Sequence, residues 1–249
     1  MPLISVSGTQ GIGKSTFIED FIANWPMYRT MDKTYRDVIK NNNLSINQNT
    51  TKESQRIILE SIIEDLRSVG KDEYVIFDRS PIDNIVYSIW AYDKNKGDID
   101  DAFVADCINI SRHASQKLDV MFMIPMTKQN PELVDDGLRD IDPIYQSEID
   151  ELFKGLKKKR EENDDVFFVK NDSPMCIEVF GSREARIEIA RLYLNEEGDF
   201  YGEEDSLILD SNGDAITSNN DIDTGEAQQL REVLGLQKDN IYRGDKYQI

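Results

Sequence analysis

Residues 8–15 read Gly8-Thr9-Gln10-Gly11-Ile12-Gly13-Lys14-Ser15 and match the pattern G-x-x-x-x-G-K-[ST] in full. An apolar run at residues 3–6 leads into the match, and apolar residues at helical spacing follow it over residues 14–23. A strand, a glycine-rich turn and a helix in this order are the context in which such a loop binds phosphate. The stretch therefore predicts a phosphate-binding loop, and a glycine-rich turn that matches by chance is the weaker interpretation.

Each part of the loop has a chemical role. Glycines let the backbone curl so that successive amides point inward, toward a phosphate at the start of the following helix. Lys14 is expected to neutralise charge on the β- and γ-phosphates, and the Ser15 hydroxyl to bind Mg²⁺. The predicted nucleotide-binding residues are Gly8, Thr9, Gln10, Gly11, Ile12, Gly13, Lys14, Ser15 and Thr16.

The rest of the chain alternates between two hydrophobic patterns. Short apolar runs predict strands at residues 3–6, 74–77, 120–124 and 166–169, with a further short strand at 25–30. Helical periodicity predicts helices at residues 14–23, 51–69, 82–92, 98–118, 143–160 and 182–194. This alternation predicts an α/β fold, a doubly wound parallel sheet of the P-loop NTPase or kinase type with helices on both faces.

The composition changes near residue 195. Residues 196–249 hold 14 acidic and 4 basic residues, and we expect them to form a small acidic appendage to a domain at residues 1–195. Within the appendage, the Asn212-Gly213 pair between two apolar runs at 207–209 and 215–217 predicts a hairpin. Residues 225–234 have the pattern of a short helix.

Charge and cysteine content narrow the class of protein. The net charge is −19, with 48 acidic and 29 basic residues among 249, which disfavours broad binding to nucleic acid. The two cysteines, Cys107 and Cys176, are far apart and fit neither a disulfide framework nor a zinc site. No apolar run approaches the ~18 residues of a membrane span. We therefore expect a cytoplasmic protein that has no membrane partner.

A second apolar run ends in Asp78-Arg79-Ser80. A buried parallel strand that ends in an acid places a carboxylate at the edge of the sheet where ligands of open α/β sheets bind. Asp78 is expected either to hold Mg²⁺ or to accept the proton of an attacking hydroxyl. Arg79 is expected to contact the substrate or the transferring phosphoryl group. The competing interpretation of Asp78 is a cap for the next helix.

These motifs resemble those of P-loop nucleoside and nucleotide kinases, and the resemblance covers roughly residues 1–195. It rests on the loop at 8–15, on Asp78-Arg79-Ser80 and on the helical run at 83–87. The chain is also similar to viral enzymes that phosphorylate 5-hydroxymethyluracil in DNA. The runs that resemble the ribosylnicotinamide-kinase-like group are Tyr35-Arg36, residues 43–47, Gln55, and Asp136-Gly137-Leu138-Arg139 followed by Tyr145.

The resemblance implies an ATP-dependent kinase that uses Mg²⁺ and transfers a phosphoryl group to a nucleoside- or nucleotide-type acceptor. It also implies a lid at residues 136–142, in which Arg139 closes over the phosphates and screens charge in the transition state. Arg36 is a substrate contact on the same grounds. Without the resemblance, residues 136–142 are a flexible loop and Arg36 is a solvated helix residue.

Three functions remain open from the sequence. A free nucleoside or nucleotide as acceptor fits the acidic surface. A hydroxymethylated base in DNA, in the host cytoplasm if the protein is viral, needs a local basic channel at residues 157–160, although this run also fits a solvated helix end. The third function is a nucleotide-dependent switch without an acceptor, and no Asn-Lys-x-Asp run is present to read guanine.

Overall fold

The computed structural model describes residues 1–70, 72–127, 142–162 and 166–201, and the backbone of residues 208–209 and 215–216. Met1–Phe200 form one compact unit, and Tyr201–Ile249 form a second. The described elements of the first unit are β1 (Leu3–Ser7), α1 (Lys14–Asn24), α2 (Tyr35–Asn42), α3 (Lys52–Ser68), β2 (Val75–Asp78), α4 (Pro81–Asp93), α5 (Asp101–Ala114), β3 (Val120–Met123), α6 (Pro143–Glu161), β4 (Met175–Glu178) and α7 (Arg183–Arg191). Short 3₁₀ turns lie at Asn47–Asn49 and Ser115–Lys117.

A parallel sheet forms the centre of this unit. Its described strands run in the order β2-β1-β3-β4, and all the pairs are parallel. In this register, Val6 of β1 lies opposite Asp78 at the end of β2. The loop that follows β1 and the acid that ends β2 therefore meet at the carboxyl edge of the sheet, as the sequence predicts.

Helices cover both faces of the sheet. The side chains along β3 alternate between the two faces, and each set packs against helices. Met121 and Met123 pack in a cluster with residues of α3, α4, α5 and α6. Phe122 points to the other face, where its ring lies 5.5 Å from that of Phe17 on α1 and 6.0 Å from that of Phe21. The predicted doubly wound α/β fold is confirmed, because successive residues of a strand alternate between faces and each face here has its own helices.

Local capping fixes where two of the helices begin. Thr51 Oγ1 accepts a hydrogen bond from the backbone amide of Ser54, at 3.2 Å, and so caps α3. Ser80 caps α4 and forms a capping box with Asp83. Pro81 occupies the first turn of α4, where its missing N–H costs nothing.

One predicted strand is wrong. Residues 166–169 form no strand, and the sheet instead gains β4 at Met175–Glu178, which pairs with β3. Phe167 and Phe168 are buried in the core without joining the sheet. Their burial explains why the sequence is apolar at this point. In β4, only Ile177 is fully buried, and this weak apolar pattern explains why the strand is hard to recognise from sequence.

Two other regions differ in detail from the prediction. Residues 25–30 contribute a single parallel bridge, between Arg29 and Val75, rather than a strand. Hydrophobic periodicity predicts no helix at the position of α2, although Thr34 and Asp37 form a complete capping box at its start and one interpretation of Arg36 is a solvated helix residue. Its eight residues bury only Val38 and Ile39, too few for a clear periodic signal.

The second unit is described only in part. Ile208–Leu209 (β5) pairs antiparallel with Ala215–Ile216 (β6), where the sequence predicts a hairpin. The Asn212-Gly213 turn and the helix predicted at residues 225–234 lie outside the described residues. Among the helices of the described ranges, none has both the length and the apolar character needed to cross a membrane.

Candidate functional site

The loop between β1 and α1 uses all three of its glycines for conformations that other residues adopt poorly. Gly8, Gly11 and Gly13 have φ values of 144°, 72° and 92°. Gly8 also approaches the chain closely, since a Cβ atom built on it would lie 2.7 Å from the carbonyl oxygen of Ile124. The sequence spacing of these glycines is therefore a backbone requirement.

Gly8→Ala is expected to destabilise the protein by ~1–3 kcal/mol, because the methyl group would meet the Ile124 carbonyl in a strained backbone conformation. Gly155→Ala is the matched control. Gly155 lies inside α6 with no atom within 4 Å of an added Cβ, so this change should stabilise by ~0.5–1 kcal/mol. Urea unfolding of both variants measures the two effects, and equal midpoints would contradict the expectation.

Side chains from three helices hold the carbonyl groups of the loop. Lys14 Nζ donates to the carbonyls of Gly8 and Thr9, at 2.8 and 2.7 Å. Gln146 of α6 donates to the carbonyl of Gln10 at 2.7 Å, and Arg186 of α7 to that of Ile12 at 3.1 Å. With its carbonyls engaged in this way, the loop keeps its amides available for an anion before any ligand arrives.

A buried polar network lies behind the carboxyl edge of the sheet. Asp83 is 1% exposed and accepts hydrogen bonds from Ser7 Oγ at 2.7 Å and from the amide of Ser80 at 2.9 Å. Its second oxygen pairs with Arg79 at 3.3 Å. The backbone of Arg79 has φ 96°, an unusual value for a residue with a side chain, so the surrounding contacts hold it under strain.

Two tyrosines hold the Arg79 guanidinium in place. Its central carbon lies 3.9 Å from the centre of the Tyr35 ring and 5.4 Å from that of Tyr87. Burial raises the pKa of Tyr87 to about 12, and burial likewise raises the pKa of Tyr35, so both rings are neutral at physiological pH. Arg79 is thus a fixed, charged group at the edge of the sheet.

A cavity of about 280 Å³ opens beside these groups. Its polar edge includes Ser15, Asp78 and Arg79. Apolar side chains from α1, α2, α3 and β2 form much of its wall: Ile18, Val38, Ile58, Ile62 and Phe77. The cavity has the character of a small-molecule site, apolar for most of its surface with a few polar groups at one side.

The structure brings four of the predicted site residues together and leaves Arg36 apart from them. Lys14, Ser15, Asp78 and Arg79 come together at the carboxyl edge, with the Asp78 side chain exposed. The cap of α4 is Ser80, so the interpretation of Asp78 as that cap is wrong. Arg36 is exposed on α2 outside the set of residues that line the cavity, and its substrate role stays a prediction.

The predicted lid lies largely beyond the described part of the chain. Arg139 and Asp136 are outside the described residues, and only Asp142 of the lid is placed, as the cap of α6. Asp142 Oδ2 also accepts a hydrogen bond from Gln48, at 3.0 Å. The role of Arg139 over the phosphates stays a prediction.

The structure also adds residues to the site that sequence reasoning missed. Gln146 and Arg186 reach the loop from helices more than 130 positions further along the chain, and no local pattern signals this. Ser61 and Asp65 line the cavity one turn apart on α3. Asp83 follows Ser80 at capping-box spacing, a signal that the sequence does contain.

The residues present fit a nucleoside triphosphate and Mg²⁺. The atoms around Gly8 leave no room for a side chain at this position. The glycines at 11 and 13 let the amides converge where a phosphate would lie. Ser15 lies in the first turn of α1 and is exposed, and both Ser15 and Asp78, which ends β2, line the cavity. Hydroxyl and carboxylate oxygens are the ligands that Mg²⁺ prefers.

Two solved structures illustrate the similarity of this fold to known proteins. NadR protein in complex with NR aligns with a TM-score of 0.52 and 12% identity over 97% of this chain and 54% of NadR, so the chain spans about half the length of that protein. Deoxyadenosine kinase from M. mycoides with bound dATP aligns with a TM-score of 0.53 and 14% identity over 77% of this chain and 98% of the kinase. The fold is therefore that of P-loop kinases.

A sequence family described as AAA domain matches residues 3–171. This match covers more than half of the chain and includes the phosphate-binding loop, so the protein belongs to the AAA domain family. No curated protein sequence matches the chain at a significant level.

Proposed function

We propose that this protein is an ATP-dependent kinase that transfers the γ-phosphoryl group to a hydroxyl of a nucleoside-type acceptor. One observation carries the proposal: the cavity of about 280 Å³ is lined by Ser15 of the phosphate-binding loop and by Asp78 of β2 at the same edge of the sheet. An acceptor in this cavity would lie next to a triphosphate held by the loop.

The groups around the cavity support in-line transfer. The acceptor oxygen attacks the γ-phosphorus while the bond from that phosphorus to the β–γ bridging oxygen breaks and ADP leaves. Asp78 accepts the proton of the attacking hydroxyl, and Lys14 and the loop amides stabilise negative charge on the phosphoryl oxygens. Arg79 adds a fixed positive charge at the edge of the cavity. Mg²⁺ would neutralise phosphate charge when bound, with Ser15 as a ligand; metal binding by Asp78 is the alternative to its role as the base.

The charges of the cavity favour an acceptor without a phosphate group. Three carboxylates line it, those of Glu19, Asp65 and Asp78, against Lys33 and Arg79. The Arg79 charge is already paired with Asp83. A nucleoside monophosphate would bring about two negative charges into this surrounding, so an uncharged nucleoside is the better fit.

The basic run at residues 157–160 offers little to a DNA backbone. Lys157 pairs with Glu161, at 2.5 Å, and with Glu178, at 3.8 Å. Lys158 lies 3.8 Å from Glu162, and Arg160 donates to the carbonyls of Ser173 and Pro174. Because carboxylates and carbonyls already engage these cations, the run gives no support to DNA as the acceptor.

The test is transfer of labelled γ-phosphate from Mg²⁺-ATP to a panel of acceptors: free nucleosides, their monophosphates, and DNA with thymine, cytosine or hydroxymethyluracil. We expect label on a nucleoside, with the matching monophosphate a poorer acceptor. Label on DNA alone would overturn the small-molecule proposal. ATP binding with label on no acceptor would point to a nucleotide-dependent switch instead.

Asp65→Asn is expected to raise the KM for the acceptor by ~10-fold and leave the KM for ATP unchanged, since Asp65 and Ser61 are polar groups in a largely apolar wall. Burial raises the pKa of the Asp65 carboxyl group. Asn keeps the size of this side chain but carries no charge at any pH. Glu64→Gln, an exposed neighbour on the same helix, is the control. An unchanged acceptor KM in Asp65→Asn would exclude Asp65 from acceptor recognition.

A further inference from the structure

Arg186 of α7 is a buried cation that contacts the phosphate-binding loop and is not among the residues that line the cavity. It is 9% exposed, and its Nη1 atom donates to the carbonyl of Ile12 at 3.1 Å. A Cβ atom on Gly13 would lie 3.1 Å from the same nitrogen. The guanidinium therefore lies against the last turn of the loop, where α1 begins at Lys14.

The charge of Arg186 has no counter-charge in the described part of the protein. No acidic side chain among the described residues forms an ion pair with it, and its buried Nε atom has no hydrogen-bond partner. Burial lowers the pKa of Arg186. Its charge also lies near the amino end of α1, the positive end of the helix dipole.

Such an arrangement is unfavourable until an anion is present. A buried charge without a partner costs free energy, and two further positive features, Lys14 and the helix terminus, lie nearby. A triphosphate in the loop would bring several negative charges close to Arg186, Lys14 and the positive end of α1. No acid of the described residues compensates Arg186. A bound anionic ligand would supply the missing counter-charge.

We propose that Arg186 is a positioning residue for the nucleotide, one that holds the Ile12 carbonyl turned away from the phosphate site and whose charge is balanced by the bound phosphates. This inference rests on the proposed use of a nucleoside triphosphate, and it concerns binding rather than transfer. The ligand class is a polyphosphate, and affinity should depend on Arg186 more strongly as the number of phosphates rises.

Calorimetric titration of the full chain with Mg²⁺-ATP, ADP and AMP tests this proposal in Arg186→Met. We expect the dissociation constant for ATP to rise by ~10-fold or more, with a smaller change for ADP and the smallest for AMP. Arg186→Lys keeps the charge and should recover much of the ATP affinity. Arg183→Met is the control, because Arg183 is an exposed residue of the same helix that pairs with Asp20 on the surface.

Thermal unfolding separates this role from a purely structural one. Without nucleotide, Arg186→Met should unfold at the same temperature as the wild type or higher, because it removes an uncompensated buried charge, while its stabilisation by ATP should shrink. A lower unfolding temperature with unchanged ATP affinity would overturn the proposal. Failure of phosphoryl transfer with ATP affinity still dependent on Arg186 would overturn the kinase function alone, and absence of ATP binding by the wild type would overturn both.

Discussion

Lys14→Ala is expected to lower kcat by ~10²- to 10³-fold in the transfer assay with Mg²⁺-ATP and the best nucleoside acceptor. Lys14 Nζ lies at the loop, bonded to the carbonyls of Gly8 and Thr9, within the ring of atoms that would surround the phosphates. Removing it takes away positive charge where negative charge moves during transfer. Steady-state kinetics with both substrates varied measure the change.

The fold should survive this change at a modest cost. Lys14 is buried and makes two charge-assisted hydrogen bonds, so its loss should lower stability by ~1–3 kcal/mol. Lys158→Ala is the matched control, since Lys158 is 65% exposed and lies on α6. Full activity of Lys14→Ala in a folded protein would remove the phosphate-binding loop from the mechanism and with it the proposed function.

Asp78→Asn is expected to lower kcat by ~10²- to 10⁴-fold, the range for loss of a general base. The amide keeps the shape of the carboxylate but cannot take the acceptor proton. The Asp78 side chain is exposed at the end of β2 and lines the cavity, so stability should hardly change. The rate of transfer under saturating ATP and acceptor measures the effect.

The pattern of losses identifies the role of Asp78. If Asp78 is a general base, its loss should lower kcat and leave the dissociation constant for Mg²⁺-free ATP unchanged. If Asp78 is a metal ligand, its loss should also raise the Mg²⁺ concentration that gives the half-maximal rate. Asp72→Asn, an exposed acid in the loop before β2, should match the wild type in both. Wild-type kinetics for Asp78→Asn would assign proton transfer and metal binding to other groups.

Much of the fold is readable from local patterns. The run at residues 3–6 and the glycines at 8, 11 and 13 predict β1 and its loop, because a buried strand is continuously apolar and glycine adopts the required φ values without strain. The helical stripe at residues 51–69 predicts α3 in the same way, and Thr51 caps this helix in the structure. In these elements, local preference and tertiary packing agree.

Local patterns failed where burial and secondary structure do not coincide. Phe167 and Phe168 are buried without joining the sheet, whereas β4 joins the sheet with a single fully buried residue. An apolar run records only that side chains leave water, and β4 buries little apolar surface for such a pattern to record. The short α2 is missed for the same reason.

By itself, the sequence determined the phosphate-binding loop and the acid that ends β2, since each is a contiguous motif whose chemistry follows from residue type and spacing. Only the tertiary structure decided what surrounds them: the cavity beside Asp78, the Gln146 contact to the loop, and the unpaired Arg186 that contacts it. The cavity brings together residues of α1, α2, α3 and β2, and the contacts of Gln146 and Arg186 join residues more than 130 positions apart along the chain. No local preference of the chain encodes contacts between such separate segments.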